Sequence, residues 1–142
     1  MENIDLIKKA AEVRKNSYSP YSGYAVGAAL ECEENMIHAG CNVENASYGG
    51  TICAERNAIT NMAADGMRKI KKIAIVGGFA DGSGDNSALV PPCGVCRQVI
   101  REFCNPETCI VLLAPIDNLE KITEMKFADL LPLSFGPDNL EK

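Results

Sequence analysis

A chain of 142 residues, 46% of them hydrophobic, has the size and apolar content of one ordinary domain with a closed core, and its 12 Gly and 7 Pro follow no period. Against 14 Lys plus Arg stand 19 Asp plus Glu; the formal charge of -5 opposes a polyanion held by counterion release and favours a small substrate over DNA or RNA. The charged start MENIDLIKK lacks the apolar run of a signal peptide and no stretch approaches the ~20 apolar residues of a membrane span, so the expectation is one cytoplasmic catalytic domain over residues 1–142, with no nucleic-acid or membrane partner.

In chain order, Leu6, Ile7, Ala10, Ala11 and Val13 recur at helical spacing and predict an amphipathic helix that ends in the polar turn Asn16 to Pro20. Ala25 to Cys32 and Met36 to Cys41 flank a Glu-Glu-Asn turn and read as an antiparallel hairpin. After an Asn- and Gly-rich loop over 42–50, Thr51 is placed to cap a helix running from Cys53 to Ala63, which Asp65 and Gly66 stop. Ile70 to Phe79 is a largely apolar, central strand.

The turn-rich segment 80–92 leads into a helix from Cys93 to Phe103, then a buried strand from Thr108 to Ala114. Ile122, Glu124 and Lys126 alternate with Thr123 and Met125 as in an edge strand, and Phe127 to Leu131 predicts a short last helix. This order predicts an α/β fold, a three-layer α/β/α sandwich around a mixed central sheet of about five strands.

Cys93 and Cys96 form a CxxC at a helix start, a spacing that fits a metal site first and also a redox pair or a packed core. Cys53 lies at a second predicted helix start, two residues before Glu55. Three thiols at two helix starts with one carboxylate suit zinc with an open fourth position. Three thiolates around Zn²⁺ leave a net negative charge, and the two helix N-termini together with Arg56 and Arg97, each next to a ligand in sequence, are candidates to offset it. Glu55, close to the metal without ligating it, is the candidate proton shuttle.

The other cysteines, Cys32, Cys41, Cys104 and Cys109, read as packed thiols, and the absence of a signal peptide favours reduced cysteines. His38, the sole histidine, is expected at a surface or edge position, and alone it excludes any site needing two histidines. Gly77 and Gly78 lack the longer pattern of a phosphate loop. Residues 81–86 lack the terminal Glu of a calcium loop.

Cys53-Ala54-Glu55 followed by Pro92-Cys93-Gly94-Val95-Cys96-Arg97-Gln98 resembles the paired signature of the zinc-dependent cytidine deaminase family, in the three-cysteine form of its small free-nucleoside members. The stretches Tyr21 to Leu30, Gly40 to Tyr48 and Leu130-Leu131-Pro132 extend the resemblance over almost the whole chain. It implies one Zn²⁺ per subunit, held by Cys53, Cys93 and Cys96, and hydrolytic deamination of cytidine and 2'-deoxycytidine, a step of pyrimidine salvage.

By the same similarity, Asn42 and Glu44 contact the sugar hydroxyls and the Ala54 backbone reads the base. Tyr24, where the family usually has Phe, packs on the nucleoside. Phe135 resembles the C-terminal aromatic that closes a neighbouring subunit's pocket in a homotetramer, and Tyr48 is placed to reach across likewise. Related zinc machinery also serves other aminopyrimidine nucleosides, such as nucleoside antibiotics, and a non-enzymatic zinc protein with a fourth protein ligand such as Cys41 is the rival of a different class.

Overall fold

The computed structural model describes residues 1–142. Alternating burial divides every central strand between two faces. On β1 (Tyr24–Cys32), Ala28, Leu30 and Cys32 point to one side and Ala29 to the other. On β3 (Ile70–Phe79), Ile73 and Ile75 join the first group and Ala74 and Val76 the second. β4 (Ile110–Leu113) divides in the same way, with Val111 and Leu113 opposite Leu112.

Helices cover both faces, which makes three layers. α1 (Asn3–Arg14) seals one face with Leu6, Ile7 and Ala10. On the other lie α2 (Ala54–Ala64), through Ala58, Ile59 and Met62, and α3 (Gly94–Glu102), through Ile100. With β2 (Ile37–Cys41) and β5 (Thr123–Lys126) at the edges, the strand order is β2-β1-β3-β4-β5. All pairs are antiparallel except β3 and β4, whose parallel register requires a crossover, and α3 lies in that connection.

Two glycines let helices approach the sheet closely enough to align the site. A Cβ at Gly27 would lie 1.9 Å from the Ala10 carbonyl oxygen of α1, and one at Gly40 would lie 2.5 Å from the Ala58 nitrogen and 2.9 Å from the Ala54 oxygen of α2. The second contact presses the start of α2 against the end of β2, so the residues after β2 lie beside those that open α2.

The predicted elements are present, with local differences. The hairpin turn places Glu34 (φ 60, ψ 20) and Asn35 (φ 59) in the left-handed region, the geometry that matches strand twist in a tight hairpin. Thr51 does not cap α2. Val43 and Ile52 pair as an antiparallel bridge that holds the chain extended up to Cys53, which becomes the N-cap residue, and Thr51 Oγ1 accepts instead from the Asn45 N–H at 3.1 Å. The short last helix is a single 3₁₀ turn, Phe127–Asp129, with the Phe127 ring buried in the core.

His38 is on the edge strand as expected but not on the surface. It is 8% exposed, with Nε2 2.7 Å from Asp65 Oδ2 beyond the end of α2 and Nδ1 3.7 Å from Cys32 Sγ. An edge strand is open only where nothing covers it, and here α2 does. No helix is long and apolar enough to cross a membrane.

Candidate active site

Cys53 and Cys93 are the N-cap residues of α2 and α3, both extended (ψ 157 and 171), and neither helix has a side-chain cap. The first-turn N–H groups of both helices are therefore free of side-chain competition next to the cysteine sulfurs, and each helix end adds partial positive charge there. Cys96, buried in the first turn of α3, completes the group.

The three sulfurs lie within 4.8 Å of one another, and Cys53 Sγ is 4.0 Å from Cys93 Sγ. Tetrahedral zinc with bonds of ~2.3 Å needs sulfurs ~3.8 Å apart, so these thiols fit one face of that tetrahedron. No fourth His, Cys, Asp or Glu joins them; Cys41 stays outside, Cys32 and Cys109 are buried, Cys41 and Cys104 are half-buried, and all four are free thiols. A structural zinc site would close with a fourth protein ligand, so the set fits a metal with an open position.

The surroundings favour negative charge on sulfur. Cys53 is held down to about 5, first by the hydrogen bond from the Cys96 thiol and then by the Arg56 guanidinium, whose Nη2 lies 3.7 Å from its sulfur. Cys96 moves the opposite way, up, because it keeps the proton of that shared bond and because it is buried. Zinc binding expels that proton, since the metal ligand is the thiolate. Arg56 also donates to the Thr51 carbonyl at 3.3 Å, while its buried Nε has no partner. A partly buried guanidinium that reaches the Cys53 sulfur suits a centre that is anionic when complete.

Arg97 has different partners. Its Nε donates to the Pro92 carbonyl and its Nη1 to the Leu130 carbonyl, each at 2.7 Å, so it ties the loop before Cys93 to the C-terminal segment and makes no contact with a sulfur.

Glu55, in the first turn of α2, is only 4% exposed, and burial pushes its carboxyl up from the usual range. It lines a cavity of about 270 Å³ together with Cys53, Cys93, Ala54, Tyr24, Asn42 and Glu44. That volume is near the lower end for small-ligand pockets. A larger cleft of about 490 Å³, lined by Arg68, Lys69, Arg101 and Glu102 among others, is remote from the cysteine cluster and holds none of its residues.

Seven of the sequence-predicted residues thus share one cavity, and their polar atoms are mostly committed. Asn42 Oδ1 accepts from Ser17 Oγ at 2.5 Å and from the Val26 N–H at 2.9 Å, and Nδ2 donates to the Tyr24 carbonyl at 2.8 Å. One Nδ2 hydrogen remains. Glu44 Oε1 accepts from the Tyr21 and Ser22 N–H groups at 2.9 and 3.0 Å, and Oε2 accepts from the Ser22 hydroxyl. These bonds, the Ser22 hydroxyl first, hold the Glu44 carboxyl below its usual range.

The Tyr24 ring meets Phe79, at the end of β3, edge-on with centroids 5.0 Å apart. Tyr48 and Phe135 do not enter this cavity. Tyr48 is 77% exposed and packs edge-on against Tyr21, whereas Phe135 is 59% exposed on a segment whose carbonyl accepts from Gln98 Nε2 at 2.9 Å. Pro91 lines the cavity too, in the stretch whose carbonyls the family resemblance assigns to the base, whereas Ser22, Val26, Thr51 and Val90 line it with no sequence signal that assigned them to a site. Ser22 lies inside the Tyr21 to Leu30 stretch, but a serine's partner is not written in its own neighbours.

Residues 1–113 match the family described as the cytidine and deoxycytidylate deaminase zinc-binding region. The cytidine deaminase of Sporosarcina psychrophila is 41% identical over 140 residues, covering 99% of this chain and 96% of that protein. The chain belongs to the zinc-dependent cytidine deaminase family.

A family member from Halalkalibacterium halodurans, also named cytidine deaminase, is 40% identical over 99% of this chain and 98% of its own length. The crystal structure of cytidine deaminase from Burkholderia pseudomallei superposes with a TM-score of 0.83 at 38% identity, covering 95% of this chain and all (100%) of that one. The three-layer sandwich with its mixed five-stranded sheet is thus the fold of this family.

Proposed function

We propose that Glu55, Asn42, Glu44, Tyr24 and the Ala54 backbone act on a nucleoside bound in the cavity beside the Cys53, Cys93 and Cys96 centre. The reaction is the zinc-dependent hydrolytic deamination of cytidine and 2'-deoxycytidine to uridine and 2'-deoxyuridine, with release of ammonia, in pyrimidine salvage. The observation that carries this reading is a three-thiol zinc set, with no fourth protein ligand, two of whose cysteines, Cys53 and Cys93, line the same small cavity as a buried carboxyl.

Zinc held by Cys53, Cys93 and Cys96 would lower the pKa of a water and so supply the nucleophile at neutral pH. Glu55 accepts a proton at its carboxylate and delivers it to N3 of the pyrimidine, which makes C4 electrophilic as the water oxygen adds there. It then takes the proton of the hydroxyl added at C4 and gives it to the exocyclic amine, so that the C4–N bond breaks, ammonia leaves and the 4-oxo group remains. Burial, which raises the Glu55 carboxyl, brings it closer to the neutral range in which a shuttle both takes and gives a proton.

The free hydrogen on Asn42 Nδ2 and the remaining lone pair on Glu44 Oε2 offer one donor and one acceptor to the sugar. A hydroxyl has a hydrogen to give Glu44 and lone pairs to accept from Asn42. Glu44 also repels a phosphate placed near it, which favours free nucleosides over nucleotides.

The active species is a homotetramer with its sites near subunit contacts. Supporting this are two aromatic side chains left open to solvent, Tyr48 and Phe135, together with the fully exposed Leu133. Side chains this apolar and this open are available for burial against a second copy of the chain. Light scattering of the purified protein reads the mass directly, and a monomer overturns the assembly.

The activity is tested by ammonia release from cytidine, deoxycytidine, cytosine, cytidine monophosphate and an N4-modified cytosine nucleoside, with protein of known zinc content. Turnover confined to the two unmodified nucleosides is expected. Turnover of the N4-modified nucleoside alone assigns another aminopyrimidine substrate.

A further inference from the structure

We propose that Ser22 is a positioning residue of the sugar subsite, acting by fixing the direction of the Glu44 carboxylate; this rests on the reading of Glu44 as a sugar contact. The turn that carries it is tight. Gly23 N–H donates to the Ser19 carbonyl at 2.9 Å and Gly23 takes φ +70, a conformation favouring glycine. That turn aims the Tyr21 and Ser22 N–H groups together at Glu44 Oε1, which uses both of its lone pairs.

Two backbone donors on one oxygen leave the other oxygen free to swing. The Ser22 hydroxyl prevents this. Its oxygen accepts from the Tyr24 N–H at 3.0 Å, so its single hydrogen is directed onto Glu44 Oε2, to which it donates. The same serine thus ties the start of β1, where Tyr24 lies, to the carboxylate. Ser22, Tyr24 and Glu44 all line the cavity. Of the two Oε2 lone pairs one is occupied and one is held toward the substrate. Removing the hydroxyl leaves Glu44 charged and in place but free to turn, so the loss falls on recognition of the sugar hydroxyl and not on Glu55 or the metal ligands.

The test compares kcat and KM for cytidine and 2',3'-dideoxycytidine in the wild type, Ser22→Ala, Ser22→Thr and Glu44→Gln. For Ser22→Ala the KM for cytidine is expected to rise about tenfold with kcat within about twofold, the effect of one hydrogen bond to a charged group. On 2',3'-dideoxycytidine, which lacks the ring hydroxyls assigned to Glu44, its kcat/KM should equal that of the wild type, and Ser22→Thr should restore cytidine binding.

Equal losses on both substrates, or an unchanged cytidine KM, overturn the positioning role. Glu44→Gln separates the two levels of the argument. If it erases the preference for cytidine while Ser22→Ala keeps it, the positioning role alone is wrong; if the preference survives Glu44→Gln too, the sugar reading of Glu44 falls with it.

Discussion

Replacing Gly40 by alanine tests whether the contact between β2 and α2 is what aligns the catalytic residues. The added Cβ would lie 2.5 Å from Ala58 N, 2.8 Å from Asn57 C and 2.9 Å from Ala54 O, all backbone atoms that cannot rotate away. Ordinary carbon contacts begin near ~3.5 Å, so α2 must recede from β2 by about 1 Å. Overpacking of this kind costs about 1–3 kcal/mol. With a urea m-value of roughly 1–3 kcal/mol/M, the unfolding midpoint should fall by about 1 M.

The displaced helix begins with Ala54 and Glu55 and is preceded by Cys53, whereas Cys96 lies in α3 and Cys93 is its N-cap residue, on a separate element. A ~1 Å misplacement can cost catalysis up to about a hundredfold, so kcat/KM for cytidine should drop by more than the loss of folded protein explains. Gly49→Ala is the control, because a Cβ there meets nothing within 4 Å. Urea unfolding, zinc content and kinetics on the same preparations read out all three effects. A Gly40→Ala protein with the wild-type midpoint and wild-type kcat/KM would refute this account of how α2 is seated.

Cys53→Ala removes one of three ligands, so the purified protein should contain far less than one zinc per chain by atomic emission; full zinc occupancy would contradict the assignment. Arg56→Gln removes the cation 3.7 Å from Cys53 Sγ and should weaken zinc retention against a competing chelator by about 10–100-fold, with the fold unchanged by circular dichroism. Phe127→Ala empties a fully buried site (0% exposed) and should cost about 3–5 kcal/mol in chemical denaturation, with zinc content per folded chain intact.

Much of the fold could be read from the chain because its two helical faces and alternating strands repeat one message. Ile70–Phe79 was bounded correctly because its apolar run is continuous, as a strand covered by helices on both faces must be. β5 was also legible, since Thr123 to Lys126 alternates in a way that only an edge strand with one open face tolerates.

The failures were places where a distant contact outweighed a local signal. Thr51 is a good cap by type, yet the Val43–Ile52 bridge carries the extended chain past it. The edge position of His38 is legible from its strand but its burial is not, because nothing nearby in sequence announces that Asp65, 27 residues on, pairs with it.

The site divides along the same line. Cys53, Glu55, Cys93 and Cys96 were legible because helix starts and short spacings are local properties. How little of Asn42 remains free for a ligand was not, because its partners Ser17, Tyr24 and Val26 lie 16 to 25 residues away. Ser22 was invisible for the same reason, its carboxylate partner being 22 residues on.

The most direct test of the central claim is the rate of ammonia release from cytidine by Glu55→Gln protein whose zinc content has been measured in the same sample. Glutamine keeps the size of the side chain and cannot carry the proton. The account predicts zinc retained as in the wild type and turnover reduced by about 10²–10⁴-fold, the usual worth of a general acid–base group. A zinc-loaded Glu55→Gln enzyme that deaminates cytidine at the wild-type rate would contradict it.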